Sequence, residues 1–284
     1  MSRGRAWRRR LRLGIPTLLG IARRGFFIPY RYAGAVPAAG TRPAYAGIER
    51  ILEESRTRFA TWLDRMDGHA AELRAIGERP PPQPRWTQDW FPRLDAAMAY
   101  TMVRALRPRR VVEAGSGHST RFLARAVADG GLDSRILAVD PAPRADLAGL
   151  AGVELRRCTV QEAGEAPFRA LRSGDLLAID SSHVLMPGTD VDMLFNRILP
   201  DLPAGVLVQI HDIFLPDDYP QAWAWRGYNE QLAVAPLLAS GAWTVEFASH
   251  YAVTRMAERI ARSVAAGLPL SDGAVESGLW LRKV

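Results

Sequence analysis

A doubly wound α/β fold is predicted: a seven-stranded, mostly parallel Rossmann-like sheet with helices on both faces. Three observations carry this. The stretch Val111 to Thr120, VVEAGSGHST, runs from β-branched residues through Glu113 to Gly115 and Gly117, and Ser119 and Thr120 then open the helical pattern RFLARAVA. That is a strand, a tight glycine turn and a helix N-terminus, the arrangement by which such folds hold a nucleotide-like ligand. From there to Ile210, short apolar runs alternate with helical stretches, which implies parallel strands joined by crossover helices. Two more β-rich runs, Trp243–Ala248 and Leu279–Arg282, close the chain and bring the count to seven.

Taken in order, the chain opens on a basic segment. Residues 1–24 hold eight arginines (Arg3, Arg5, Arg8, Arg9, Arg10, Arg12, Arg23 and Arg24) and no acid. Without them 29 basic residues face 30 acidic ones, so the net charge of +7 belongs to the tail and no specific nucleic-acid partner is expected. Residues 1–28 form a basic amphipathic tail, with Leu18, Leu19, Ile21, Phe26 and Phe27 suited to peripheral contact with an anionic membrane. A solvated or self-packed tail is the competing reading. No apolar run reaches the roughly 20 residues needed to span a bilayer. Arg12 and Pro16 interrupt what would otherwise resemble a signal-peptide core. The lone cysteine, Cys158, excludes an internal disulfide and a multi-cysteine zinc site, and it suits a reducing compartment. A cytoplasmic location, membrane-associated through the tail, is the expectation.

Residues 29–85 read as a helical extension and linker: apolar residues recur at helical spacing over Ala44–Ile76, and the proline-rich run 80–84 breaks the pattern. Residues 86–284 form the main domain. A helix over Leu94–Leu106 precedes strands at Val111–Ala114, Ile136–Val139, Val153–Cys158, Leu176–Ile179 and Val206–Ile210. Helices are expected at Ser119–Ala128, Ala145–Leu150, Ala166–Leu171, Val191–Leu199, Gln221–Ser240 and Arg255–Ala265.

Ligands in open α/β sheets bind beyond the carboxyl ends of the strands. Those ends offer Glu113, Gly115, Gly117 and His118; then Asp140; then Thr159, Val160 and Gln161; then Asp180, Ser181, Ser182 and His183; then His211 and Asp212. Asp140 stands 23 residues after Gly117, where an acid can bond ribose hydroxyls. A dinucleotide fingerprint wants glycine where Thr120 stands, and a pyrophosphate is repelled by Glu113. S-adenosylmethionine, which is cationic and has no phosphate, suits this turn better than NAD.

These residues resemble a known family. EAGSGHSTRF, LLAIDSSH, GVLVQIHDIFLPDDYP and the closing GLWLRKV are similar to class I S-adenosylmethionine-dependent methyltransferases, in a bacterial subgroup of generic small-molecule type, over about residues 90–284. The resemblance implies that Glu113, Gly115 and Gly117, with His118 and Ser119 beside them, flank the methionine moiety. It implies that Asp140 holds the ribose and that Val160 and Gln161 border adenine. A looser similarity to catechol-type O-methyltransferases implies a divalent metal at Asp180, His211 and Asp212, with His183 as the base that deprotonates the acceptor hydroxyl. Mg²⁺ prefers oxygen ligands, so His211 directs the expectation toward Mn²⁺, Zn²⁺ or Fe²⁺ as well. Loop-capping aspartates with backbone-bonded histidines remain the alternative.

The segment Leu215 to Tyr228, with Trp223, Trp225 and Tyr228, is expected to form a lid or substrate wall. Trp86, Trp90, Phe91 and Tyr100 either cap the cofactor or pack between segments, and His250 reads as a core histidine. The expected activity is O-methylation of a small or medium-sized acceptor. A non-catalytic adenosylmethionine- or nucleotide-binding protein and an NAD-dependent oxidoreductase stand as alternatives.

Overall fold

The computed structural model describes residues 4, 7–8 and 10–284. The chain divides into two compact units, one of residues 43–218 with 228–284 and the other of residues 1–42 with 219–227.

The larger unit is built on one seven-stranded sheet: β1 (Arg110–Ala114), β2 (Arg135–Val139), β3 (Val153–Arg156), β4 (Leu176–Ile179), β5 (Leu207–Ile210), β6 (Trp243–Ala248) and β7 (Leu279–Lys283). Their spatial order is β3-β2-β1-β4-β5-β7-β6. β1 to β5 run parallel, and β7 lies antiparallel to both β5 and β6. β4 and β5 are buried along their whole length, which is why Leu-Leu-Ala-Ile and Leu-Val-Gln-Ile lack polar alternation.

Register decides what the sheet presents. Ala114 pairs with both Val139 and Ile179, and Ile179 pairs with Ile210. The next residue of each strand therefore emerges in one row: Gly115, Asp140, Asp180 and His211. The strand order reverses between β1 and β4, so this row crosses the switch point where such sheets bind ligands.

Between Ala44 and Ile76 three helices replace the single expected one: Ala46–Glu54, Arg56–Asp67 and Ala70–Arg74. Ser55 Oγ donates back to the Ile51 carbonyl at the first break, and Gly68 ends the second helix. These helices share the core of the sheet. The Phe59 ring meets Phe247 and Tyr251 edge-on at 5.6 and 5.8 Å, and Trp62 Nε1 donates to Glu246 at 3.1 Å.

Residues 145–150 form turns instead of a helix. Asp140 Oδ1 accepts from the Ala142 amide and Asp146 Oδ1 from the Ala148 amide, local bonds that compete with helix formation. The region 191–199 is helical but changes pitch, from an α-turn at Asp190–Met193 through a wider turn at Leu194–Ile198 to a tight one at Leu199–Asp201. The helix expected over Gln221–Ser240 is interrupted at Gly227, whose φ of 69° is left-handed, and resumes at Gln231–Ala239. His250 lies on the helix Ser249–Arg255, not in a strand, and bonds Asp217 at 2.8 Å.

The smaller unit has helical turns at Arg10–Gly14, Ile15–Leu18, Ala33–Ala35 and Gln221–Arg226. Thr17 Oγ1 donates to Leu13 O and accepts from the Arg24 amide. Arg226 stacks 3.9 Å above Trp223, and a Cβ on Gly40 would press on Gln221, which fits glycine there. Among the described residues no helix is long and apolar enough to cross a membrane.

Candidate active site

A cavity of about 380 Å³ opens at the carboxyl ends of the strands. The turn after β1 contributes Gly115, Ser116, His118 and Ser119, β2 contributes Asp140, and β4 contributes Asp180, Ser181 and Ser182. Thr159, Val160 and Gln161 come from the helical turn after β3. Trp90 and Phe91 close one side, and the Arg144 guanidinium lies 4.0 Å from the Trp90 ring. Trp86 and Tyr100 are packing residues instead: Trp86 lies 5.0 Å from the Phe122 ring, and Tyr100 donates to Asp129.

The chain can bend this tightly only because of Gly115. Its φ is 85°, and a Cβ there would overlap the Asp180 carbonyl oxygen. Asp140 is fixed by three donors, the Ser116 amide at 2.7 Å, Ser116 Oγ at 3.1 Å and the Ala142 amide at 2.7 Å. Two buried polar atoms on the cavity wall, His118 Nδ1 and Ser181 Oγ, have no hydrogen-bond partner among the described residues. Burial, with Arg121 and Arg85 nearby, holds His118 down to about 4, so the ring is neutral at pH 7.

Glu113 and Gly117 do not line the cavity. Glu113 lies beneath the glycine turn, 1% exposed, accepting from Ser119 Oγ and Thr120 Oγ1. Burial pushes its carboxyl up to about 8 despite those bonds. The acidic character of the wall comes instead from Asp140, Asp180 and Asp190. Thr120, read from the sequence as a missing glycine, also accepts from the Gly117 amide at 3.0 Å and locks the turn to the helix.

Behind Asp180 lies a buried polar cluster. Asp180, His183 and Asp212 each bring one ligand atom to within 4.8 Å of the others. His183 Nε2 is 3.2 Å from Asp180 and 3.4 Å from Asp212, while its Nδ1 is 2.8 Å from Glu230. His211 Nδ1 is 3.7 Å from Asp180 and 3.4 Å from Asp212, while its Nε2 is 3.0 Å from Asp95. Asp95 is itself anchored by the Ser277 and Gly278 amides, both at 2.9 Å. His183 and Asp212 both have φ of 58°, a left-handed conformation that costs a non-glycine residue about 1 kcal/mol or more. The Tyr228 ring lies 4.5 Å from His183, and Phe91 lies 5.2 Å from His211.

The electrostatics are coupled. Burial opposes protonation of His183, but Asp180, Glu230 and Asp212 outweigh it and hold the imidazole well above its usual range. His211 is raised likewise, by Asp212, Asp180 and Asp95 against burial. Asp180 is held well below the usual carboxylate range: burial would raise it, and the two histidines more than compensate. Four carboxylates around two imidazoles demand positive charge, and either two protons or one divalent cation supplies it.

Five parallel strands in the order 3-2-1-4-5, an antiparallel β7 inserted beside β5, and a glycine turn facing the acid that follows β2 are the arrangement that the resemblance to class I methyltransferases implies. Residues 112–213 match the family described as a methyltransferase domain. No curated protein matches the chain. Solved structures similar to it include the SAH-bound methyltransferase PaMTH1 of Podospora anserina, at 16% identity over 92% of this chain and 99% of that one, with a TM-score of 0.43. The O-methyltransferase TomG of Streptomyces achromogenes, involved in tomaymycin synthesis and complexed with SAM, gives 16% identity, 77% and 89% coverage and a TM-score of 0.40. An O-methyltransferase of Bacillus cereus in complex with SAH gives 11%, 79%, 91% and 0.41.

Two residues of the cluster escaped the sequence reading. Asp95 sits in the apolar helix Arg93–Leu106, where a single buried acid was the only clue. Glu230 lies 47 residues after His183, and no spacing rule connects them.

Proposed function

We propose that this protein is an S-adenosylmethionine-dependent O-methyltransferase of a small or medium-sized acceptor, assisted by a divalent cation. The observation that carries this reading is the single row Gly115, Asp140, Asp180 and His211 across the switch point, with the carboxylate-backed histidines directly behind it.

The cavity fits the cofactor. Its volume is within the range of small-molecule sites, ~300–1,000 Å³, and His118 Nδ1 and Ser181 Oγ await partners on its wall. Asp140 would take the ribose hydroxyls, Val160 and Gln161 would border the adenine, and Gly115, Ser116 and Ser119 would flank the methionine portion, all of them on the cavity wall. Bound there, S-adenosylmethionine supplies an electrophilic methyl group, and what the protein adds is alignment.

The donor set also fits a cation. Asp180, His183 and Asp212 are the holding residues, and an imidazole among them favours Mn²⁺, Fe²⁺ or Zn²⁺ over Mg²⁺. Such an ion would acidify the acceptor hydroxyl. Glu230 takes the Nδ1 hydrogen of His183 and directs Nε2 to the two aspartates, the usual outer support of a ligating imidazole. This assigns His183 as a ligand and gives the proton to His211. Asp95 holds the Nε2 hydrogen of His211, so its Nδ1 lone pair faces Asp180 and Asp212 and can accept the acceptor's proton. Residues 1–28 serve as a peripheral membrane contact, and the proposed location is the cytoplasm.

Metal analysis and turnover of single variants test the roles. His183→Ala and Asp212→Ala should lose the metal, whereas His211→Gln should keep it and lose roughly 10²–10⁴-fold in rate. Loss of metal from His211→Gln with retention by His183→Ala would reverse the assignment.

A further inference from the structure

Two stretches remote in sequence, 1–42 and Tyr219–Gly227, make up the smaller compact unit. It holds eleven arginines and none of the chain's 30 carboxylates, so the rest of the protein carries 26 basic against 30 acidic residues. Exposed apolar side chains divide in the same way. Among the described residues, twelve large ones lie between Trp7 and Val36 and five elsewhere, with Leu19, Ile21 and Phe27 each at least 67% exposed. Arg8, Arg10, Arg12, Arg23, Arg24 and Arg31 are exposed among them.

Soluble domains rarely leave so much apolar surface in water. Cations interleaved with Trp, Phe, Tyr and Leu match the interface of an anionic bilayer, where arginine meets head-group phosphates and aromatic rings sit at head-group depth. A nucleic acid would use the arginines and leave Leu18, Leu19, Ile21 and Ile28 in water.

We propose that this unit docks on an anionic phospholipid bilayer and that the methyl acceptor is an amphiphile drawn from that bilayer. The second half rests on the methyltransferase reading above and on the path of the chain. β5 ends at His211 and Asp212; the chain enters the arginine-rich unit at Tyr219 and passes Trp223, Trp225 and Arg226 before leaving at Gly227. The next residue, Tyr228, has its ring against His183, and Glu230 bonds that same imidazole. The docking unit thus interrupts the chain between two parts of one site, and that continuity of the chain is what links lipid binding to the choice of acceptor. In the transfer the acceptor oxygen forms the bond to the methyl carbon, the sulfur–carbon bond breaks, S-adenosylhomocysteine leaves, and the acceptor's proton passes to His211.

The full chain should co-sediment with vesicles containing phosphatidylglycerol and not with phosphatidylcholine alone. Phe26→Glu/Phe27→Glu should weaken that binding by roughly tenfold or more and leave adenosylmethionine affinity unchanged in calorimetry. Brominated lipid should quench tryptophan emission less in Trp223→Phe/Trp225→Phe than in the parent. With methyl-labelled cofactor and a membrane extract, label should enter the organic phase, and the Phe26/Phe27 double variant should slow this. Equal binding to neutral vesicles, binding to RNA in place of vesicles, unchanged quenching, or label confined to water-soluble products at an undiminished rate would each overturn the proposal. Failure of the parent to bind adenosylmethionine would sink the methyltransferase reading while leaving the docking result intact.

Discussion

Glu113 shows how burial redirects a residue's role. Its ordinary carboxyl value is 4.5 and burial pushes it up to about 8 in the folded chain, so folding favours the protonated form. Below about 4.5 both states are protonated and there is no penalty; the penalty grows as pH rises and is complete above about 8. Glu113→Gln keeps a donor and an acceptor for Ser119 and Thr120 without that penalty. Its melting temperature should match the parent's at pH 4 and exceed it at pH 8.5, by the equivalent of ~5 kcal/mol. Gly115→Ala should do the opposite, losing ~2 kcal/mol or more because both the left-handed φ and the Asp180 carbonyl oppose a Cβ. His183 must lose its proton to ligate a metal, and its surroundings hold that proton well above the usual range. Mn²⁺ or Zn²⁺ affinity should therefore rise steadily from pH 6 to pH 8, with protons released on binding; a pH-independent affinity in titrations would count against His183 as ligand.

At the scale of elements, strand register turns scattered residues into a site. Asp140, Asp180 and His211 were legible in the sequence as strand-end residues because apolar runs of four or five end abruptly in a polar residue. The helices were less legible, since side chain–backbone bonds at Ser55, Asp140 and Asp146 override helical periodicity. Asp95 and Glu230 were invisible because their partners lie 116 and 47 residues away and only tertiary packing joins them. The same distance makes Asp95 a test of positioning. Asp95→Asn should cost about 10²-fold in rate by disturbing the His211 tautomer while leaving KM for the cofactor unchanged. The helix Arg56–Asp67 is tied to the sheet in a comparable way, and Phe59→Ala should destabilise the fold by ~3–5 kcal/mol in denaturant unfolding, because that ring is fully buried against Phe247 and Tyr251.

Over the whole molecule, charge is segregated. The sequence shows the basic tail plainly, but not that Tyr219–Gly227 joins it, because no local pattern links residues about 180 positions apart. The fold class was legible from strand–helix alternation and the glycine turn, and the seven-stranded sheet has that architecture. The most direct measurement of the central claim is titration calorimetry of the full chain with S-adenosylmethionine, S-adenosylhomocysteine and NAD, repeated on Asp140→Ala. The expected result is one site for each of the first two ligands, affinity about tenfold or more weaker in Asp140→Ala, and no heat with NAD. Saturable NAD binding without adenosylmethionine binding would contradict it.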